Sequence, residues 1–200
     1  TVYLGDRITV RGTAPAADLA SLNIVLSIED KSDTFTITTG HQICLFAGPV
    51  YFIYKIISTI NLAHKIKIKY PKNNFVPIFW MATEDHDFEE INHFFLEDKK
   101  IVWDVESSGP VGRRSTEGID LVFEAFSKNI GTNKNTEYLQ KLFEEAYLKH
   151  GTLTEATRYL VNELFGKYGL VIIDGDEADL KRQFIPFIKK ELAIVGQLSY

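Results

Sequence analysis

Two hundred residues, with 45% hydrophobic and 24% charged side chains, are enough for one sizeable core and ordinary for a globular protein. A formal net charge of −5 offers no basic field for a phosphate backbone, so no nucleic-acid partner is expected. A single cysteine excludes an intrachain disulfide and fits a reducing compartment, and no stretch has the apolar length of a membrane span. The opening TVYLGDRITVRG lacks the apolar segment of a signal peptide, and a first residue of Thr reads as a processed, trimmed or partial chain.

Phe35 to Thr39 is short, β-branched and aromatic, and predicts a strand ending at Gly40. Gly48-Pro49 then opens a helical pattern that stops at Tyr70-Pro71, with Val50, Ile53, Ile57 and Ile60 at helical spacing. Phe75 to Trp80 is apolar almost throughout, as a strand covered on both faces should be, although Pro77 argues for an edge position or a bulge. Phe94–Leu96 and Ile101–Trp103 predict a β-hairpin, followed by the loop SSGPVGRRSTEG. Helices are expected over 120–129, 136–150 and 152–167, the last opened by a Thr152/Glu155 capping box. Leu170 to Asp174 is a third buried strand, and 178–190 a helix that Pro186 should break or kink.

Strand–helix–strand order predicts an α/β fold: a mostly parallel, Rossmann-like sheet with helices on both faces, a small hairpin insertion and a helical segment. In such sheets the binding crevice lies beyond the carboxyl ends of the strands. All three strands carry polar residues there: Gly40-His41-Gln42, Glu84-Asp85-His86-Asp87 and Asp174-Gly175-Asp176.

Each cluster has a functional and a structural reading. Gly40 permits a turn, His41 and Gln42 can donate into the crevice, and Gly48 lets backbone approach a bound group at the start of a helix that favours anions. The same residues also suit a plain loop and helix start, and they match no phosphate-loop or dinucleotide fingerprint. Glu84, Asp85, His86 and Asp87 could orient a general base, bind a hard cation or grip an amine, while Asp87-Phe-Glu-Glu90 also reads as a helix cap. Arg113-Arg114 could clamp a carboxylate or simply be solvated. Asp174 and Asp176 could bind hydroxyls, or Asp176 could cap the helix at Ala178. Tyr51 and Lys55 face one turn of the first helix and could reach the crevice. Cys44 reads as a buried structural thiol, and His64 and His150 as surface residues. No metal is predicted: one cysteine, without paired histidines at ligand spacing, does not make a zinc site.

The runs TTGHQICLFAGPVYFIYKIISTINLA and FVPIFWMATEDHDFEEINHFF, with RYLVNELFGKYG and GLVIIDGD, resemble the bacillithiol biosynthesis family BshC. The likeness spans about residues 23–192, with a hairpin and loop insertion at about 93–118 and a helical segment at about 120–167. Segments 1–22 and 193–200 read as atypical ends. The resemblance implies part of a longer cytoplasmic ligase that joins cysteine to glucosaminyl-malate through an amide bond. It also implies dimerisation of the full-length protein through a helical coiled coil, an interface absent from this chain. His41, Asp85, His86 and Asp87 are then the expected catalytic residues. Gly40, Gln42, Gly48, Tyr51, Glu84, Arg113, Asp174 and Asp176 are the expected substrate-binding ones. ATP or another nucleotide would activate cysteine's carboxylate near Gly40-His41-Gln42 and the Gly48-Pro49 helix start, while the acids and His86 hold or deprotonate the amine. Two other readings use the same core: a nucleotidyltransferase acting on a small phosphorylated substrate, and a non-catalytic module that binds a small molecule.

Overall fold

The computed structural model describes residues 33–197, so the segment 1–22, the first ten residues of the expected core and the end of the tail lie outside the described residues. β1 (Thr34–His41) leads through a 3-10 turn (Leu45–Ala47) into α1 (Tyr51–Lys69), and β2 (Asn74–Met81) follows. A short α2 (Phe88–Ile91) precedes the hairpin of β3 (His93–Leu96) and β4 (Lys99–Val102). After a loop come α3 (Asp120–Asn129), α4 (Lys134–Leu148) and α5 (Leu153–Phe165), then β5 (Val171–Asp174) and α6 (Ala178–Gln197).

β1, β2 and β5 form a parallel sheet in the order β1-β2-β5. His41 stands opposite Met81, and Met81 opposite Asp174, so all three strands end at one level. β3 and β4 pair antiparallel beside this sheet as a separate hairpin. The expected α/β architecture, with its hairpin and helical segment, is therefore present.

Both crossovers step the same way along the sheet, so right-handed connections lay α1 and α5 on one face. That face carries Phe79, Met81 and Ile172; Phe79 meets Phe52 of α1 edge to face at 5.3 Å between ring centroids. The core continues from there under α3, α4 and α5 and closes over the hairpin through Phe94 and Ile101. On the opposite face of β1, Thr36 and Thr38 are exposed. α6 leaves β5 with Phe184, Ile185, Phe187, Ile188 and Leu192 all exposed.

Three local expectations are corrected. Pro77 lies in the central strand; its missing N–H is tolerated because β5 is short and starts opposite Ile78, leaving Pro77 with β1 as its single neighbour. The buried stripe of α1 is Phe52, Ile56, Thr59 and Ala63, while Val50 and Ile57 are exposed and Ile53 and Ile60 only flank the core. A run apolar almost all round does not define which face turns inward. α6 runs through Pro186 to Gln197.

The segment after β1 is strained and anchored. Phe46 (φ 52°) and Ala47 (φ 65°) are left-handed, a conformation that costs non-glycine residues roughly 1–3 kcal/mol each. Phe46 offsets this by burial among Phe94, Phe126, Phe143 and Tyr147, with centroid distances from 4.7 to 5.1 Å. Its N–H donates to Tyr147 Oη at 2.9 Å. Gly48 follows at φ 48°, ψ −141°, and any Cβ there would collide with Cβ of Cys44. Glycine is thus required by the chain's own packing. Gly48→Ala is expected to lower stability by about 2 kcal/mol or more, read as a shifted urea midpoint at unchanged slope.

Candidate functional site at the strand ends

Because the three strands stop at one level, the residues that follow them are delivered to a common edge. From β1, Gln42 Nε2 donates to Asp85 Oδ2 at 3.0 Å and also to Glu90. Asp85 Oδ1 accepts from the backbone N–H of His86 at 2.6 Å and of Asp87 at 3.1 Å. The Gln42 hydrogen bond, followed by those backbone donors, holds the Asp85 carboxyl below the usual carboxylate range. Asp85 is therefore a fixed anion at the crevice. Asp87 caps α2 by accepting from Glu90 N at 3.2 Å, and His86 beside it is exposed.

The His41 ring packs edge-on against Tyr51 at 5.7 Å and Phe52 at 5.4 Å. Its Nδ1 lies 2.9 Å from the Gln42 carbonyl, which can only accept, so Nδ1 carries the proton and Nε2 is left for other partners. Lys55 Nζ donates to the Gly40 carbonyl at 2.6 Å, and Tyr51 is exposed beside it. Gly40 is a strand residue paired with Trp80, so the turn expected of it begins after His41 instead.

The β5 end is built differently. Thr83, fully buried, donates to Asp174 and accepts from the Asp176 N–H at 2.9 Å. Asp174 also pairs with Arg158 of α5 at 3.3 Å. Asp176 receives Arg113 and Lys181. Burial of Asp176 opposes its charge, but the Arg113 and Lys181 hydrogen bonds outweigh it and hold the carboxyl below its ordinary value. Arg113, Asp174 and Asp176 are thus committed to one another, and the α6 cap expected of Asp176 is replaced by these ion pairs.

A carboxylate whose folded pKa is depressed adds stability that is complete above its unfolded value of about 3.9 and is lost as pH falls through the folded value. The stability gap between wild type and Asp176→Asn is expected to be constant from neutral pH down to about pH 5 and to close below about pH 4. Urea midpoints across that range check it.

Glu84 Oε1 accepts from Trp80 Nε1 at 3.2 Å, while its Oε2 is buried and unpartnered. A Cβ on Gly175 would strike this carboxylate, so glycine there lets Glu84 lie against the β5 turn. Cys44 is buried, and burial pushes its thiol up to about 11, which keeps it protonated and unreactive. His150, expected at the surface, is half-buried, with Nδ1 against the Glu145 and Ala146 carbonyls at the end of α4.

The structure therefore joins Gln42 to Asp85, and Arg113 to Asp176. Among the described residues no hydrogen bond or ring contact joins His41 to His86; their segments meet through Gln42 and Asp85. Sequence reasoning passes over Thr83, Arg158 and Lys181, and gives Glu90 only a place in the helix cap, whereas its carboxylate accepts from Gln42. Thr83 gives no signal because it is neutral, Arg158 meets Asp174 only through the fold, and Lys181 reaches back five residues from α6 to Asp176. Among the described residues no cluster of His, Cys, Asp and Glu is arranged to hold a metal ion, and no helix is long and apolar enough to cross a membrane.

The family model described as "Bacillithiol biosynthesis BshC, N-terminal Rossmann-like domain" matches residues 17–199. The chain belongs to the BshC family. Similar curated proteins bear the name "Putative cysteine ligase BshC". One from Flavobacterium psychrophilum is 58% identical over 176 residues, covering 88% of this chain and 33% of the relative. One from Flavobacterium johnsoniae is 59% identical over 185 residues, covering 92% and 34%. A more distant one, from Bacillus cereus strain AH187, is 31% identical over 179 residues, covering 86% and 33%. The chain spans about a third of the length of these BshC relatives. Every strand-end residue described above lies inside the part matched to the BshC domain.

Proposed function

We propose that this BshC domain supplies one wall of the active site of a cytoplasmic ligase that joins L-cysteine to glucosaminyl-malate through an amide bond in bacillithiol biosynthesis. The observation that carries the reading is the Gln42–Asp85–Glu90 group at the ends of β1 and β2, a fixed negative pole at the place where an α/β sheet binds its ligand. Such a pole suits the protonated amine of glucosamine, which must be bound and then deprotonated before it can attack.

In this reading Asp85 and Glu90 draw in the ammonium group, and exposed His86, whose backbone is pinned to Asp85, accepts the proton. The free amine attacks the activated carboxyl carbon of cysteine; the C–N bond forms, the bond from that carbon to its activated oxygen breaks with the oxygen and the electron pair leaving on the activating group, and the nitrogen's second proton passes to solvent. His41, held by the Gln42 carbonyl and the rings of Tyr51 and Phe52, positions the reacting groups from the β1 side. ATP or another nucleotide would supply the activation of the carboxylate. Its phosphates would lie at the start of α1, whose first turn has neither a side-chain cap nor an acidic residue, with Lys55, which donates to the Gly40 carbonyl, one turn on. The remainder of the full-length protein is proposed to complete the site and to dimerise.

The test is to incubate a full-length BshC protein carrying this domain with cysteine, glucosaminyl-malate and ATP, and to identify products by mass spectrometry. Bacillithiol is the expected product. Pyrophosphate release without incorporation of a thiol, or tight binding of substrates without any product, would replace this reading with nucleotidyl transfer or with a binding module.

A further inference from the structure

A hollow of about 510 Å³ opens beside the strand ends, within the range of small-molecule sites. Its walls include half-buried Arg114 and the exposed Ser108, Arg113, Ser115 and Glu117. The loop that forms it is tied to the end of β2, since Val111 N donates to the Asp85 carbonyl at 2.7 Å and Gly112 N to the Thr83 carbonyl at 3.0 Å. It is tied also to α5: Leu153 N donates to the Arg114 carbonyl at 3.0 Å, and Ser115 bridges Thr152. These are backbone ties, so the loop is rigid without help from the Arg114 side chain.

That side chain is nonetheless elaborately placed. Its guanidinium carbon lies 4.8 Å from the Phe88 ring centroid and 5.0 Å from that of Trp103, which is itself almost fully buried. One Nη donates to the Glu106 carbonyl, while Nε is buried without any partner. Among the described residues no carboxylate pairs with Arg114, although Arg113 next to it is paired with Asp176. Burial alone lowers its pKa, the sign of a cation that has lost water and gained no anion. A half-desolvated, planar, oriented cation without a counterion is the arrangement that recognises a carboxylate by its forked donors.

We propose that this hollow is a carboxylate-binding subsite centred on Arg114, and that it receives the malate end of glucosaminyl-malate. The choice of malate rests on the functional reading above, in which the glucosamine amine reacts at Asp85 and the malate carboxylates pass through unchanged. The carboxylate subsite itself rests only on the geometry.

The experiment uses the full-length protein and L-malate as the probe. L-malate is expected to bind wild type, and Arg114→Met, which keeps an unbranched apolar side chain beside the Phe88 and Trp103 rings, should weaken that binding by about 10- to 100-fold. In wild type, L-malate should also shield the peptide containing Arg114 from phenylglyoxal, mapped by mass spectrometry, a readout that needs no variant to fold. The KM for glucosaminyl-malate should rise in Arg114→Met while the KM for cysteine holds. Unchanged L-malate binding in a folded Arg114→Met protein, or absence of shielding, overturns the subsite while ligation stands. Inorganic phosphate displacing L-malate at equal concentration overturns the carboxylate assignment in favour of a phosphate. L-malate bound through Arg114 by a protein that makes no bacillithiol keeps the subsite and discards the ligase.

Discussion

Asp85→Asn in a full-length BshC protein is expected to reduce amide formation by about 100-fold, the scale on which removal of a charged hydrogen-bonding partner acts. The substitution is nearly isosteric. The carbonyl oxygen of the new amide can keep accepting from the backbone of His86 and Asp87, so the turn after β2 stays in place. What changes is the other atom: an NH2 replaces Oδ2 and faces the Gln42 amide, donor against donor. The negative pole weakens, and the glucosamine ammonium loses its partner. Steady-state kinetics with a parallel thermal melt check it: the loss should appear in turnover and in the KM for glucosaminyl-malate, with Tm little changed. A loss of stability as large as the loss of activity would instead make Asp85 a structural residue.

The second large effect concerns Phe46. Phe46→Ala is expected to cost about 3–5 kcal/mol, the range for removing a fully packed phenyl group. Phe46 is 7% exposed and touches rings from β3, α3 and α4, so its loss opens a cavity where three elements meet. It also removes the burial that offsets the left-handed backbone at Phe46 and Ala47, so the loop carrying Gln42 should relax. Urea unfolding measures the cost. Phe46→Leu, which refills most of the volume, should recover more than half of it.

Legibility follows the physics of each signal. β1, β2 and β5 are readable because β-branched and aromatic runs are followed within three residues by a glycine or an acid, and the register then brings Gln42 and Asp85 together. The Thr152/Glu155 capping box forms as expected, since both partners lie within one turn. The Asn133/Thr136 box at the start of α4 escapes the sequence pattern because its third residue is threonine, not glutamate or glutamine. Helix 120–129 is legible to the residue, whereas the buried face of α1 is not, because its apolar residues surround the axis. Thr83 is invisible: a neutral residue just before more conspicuous acids, given meaning only by Asp174 and Asp176, which are remote in the chain. Arg114 reads in sequence as one of a pair with Arg113, and only the fold separates a paired arginine from an unpaired one.

The exposed apolar side of α6 and the exposed outer face of β1 belong to a domain covering about a third of its relatives' length.

The proposed chemistry requires the ends of β1, β2 and β5 to form one ligand-binding edge. A crystal structure of a full-length BshC protein with glucosaminyl-malate bound tests this most directly. It should show the glucosamine nitrogen about 2.7–3.2 Å from Asp85 Oδ2, within reach of Gln42 and Glu90. A sugar bound elsewhere, with the Gln42–Asp85 hydrogen bond untouched and facing only solvent, would contradict it.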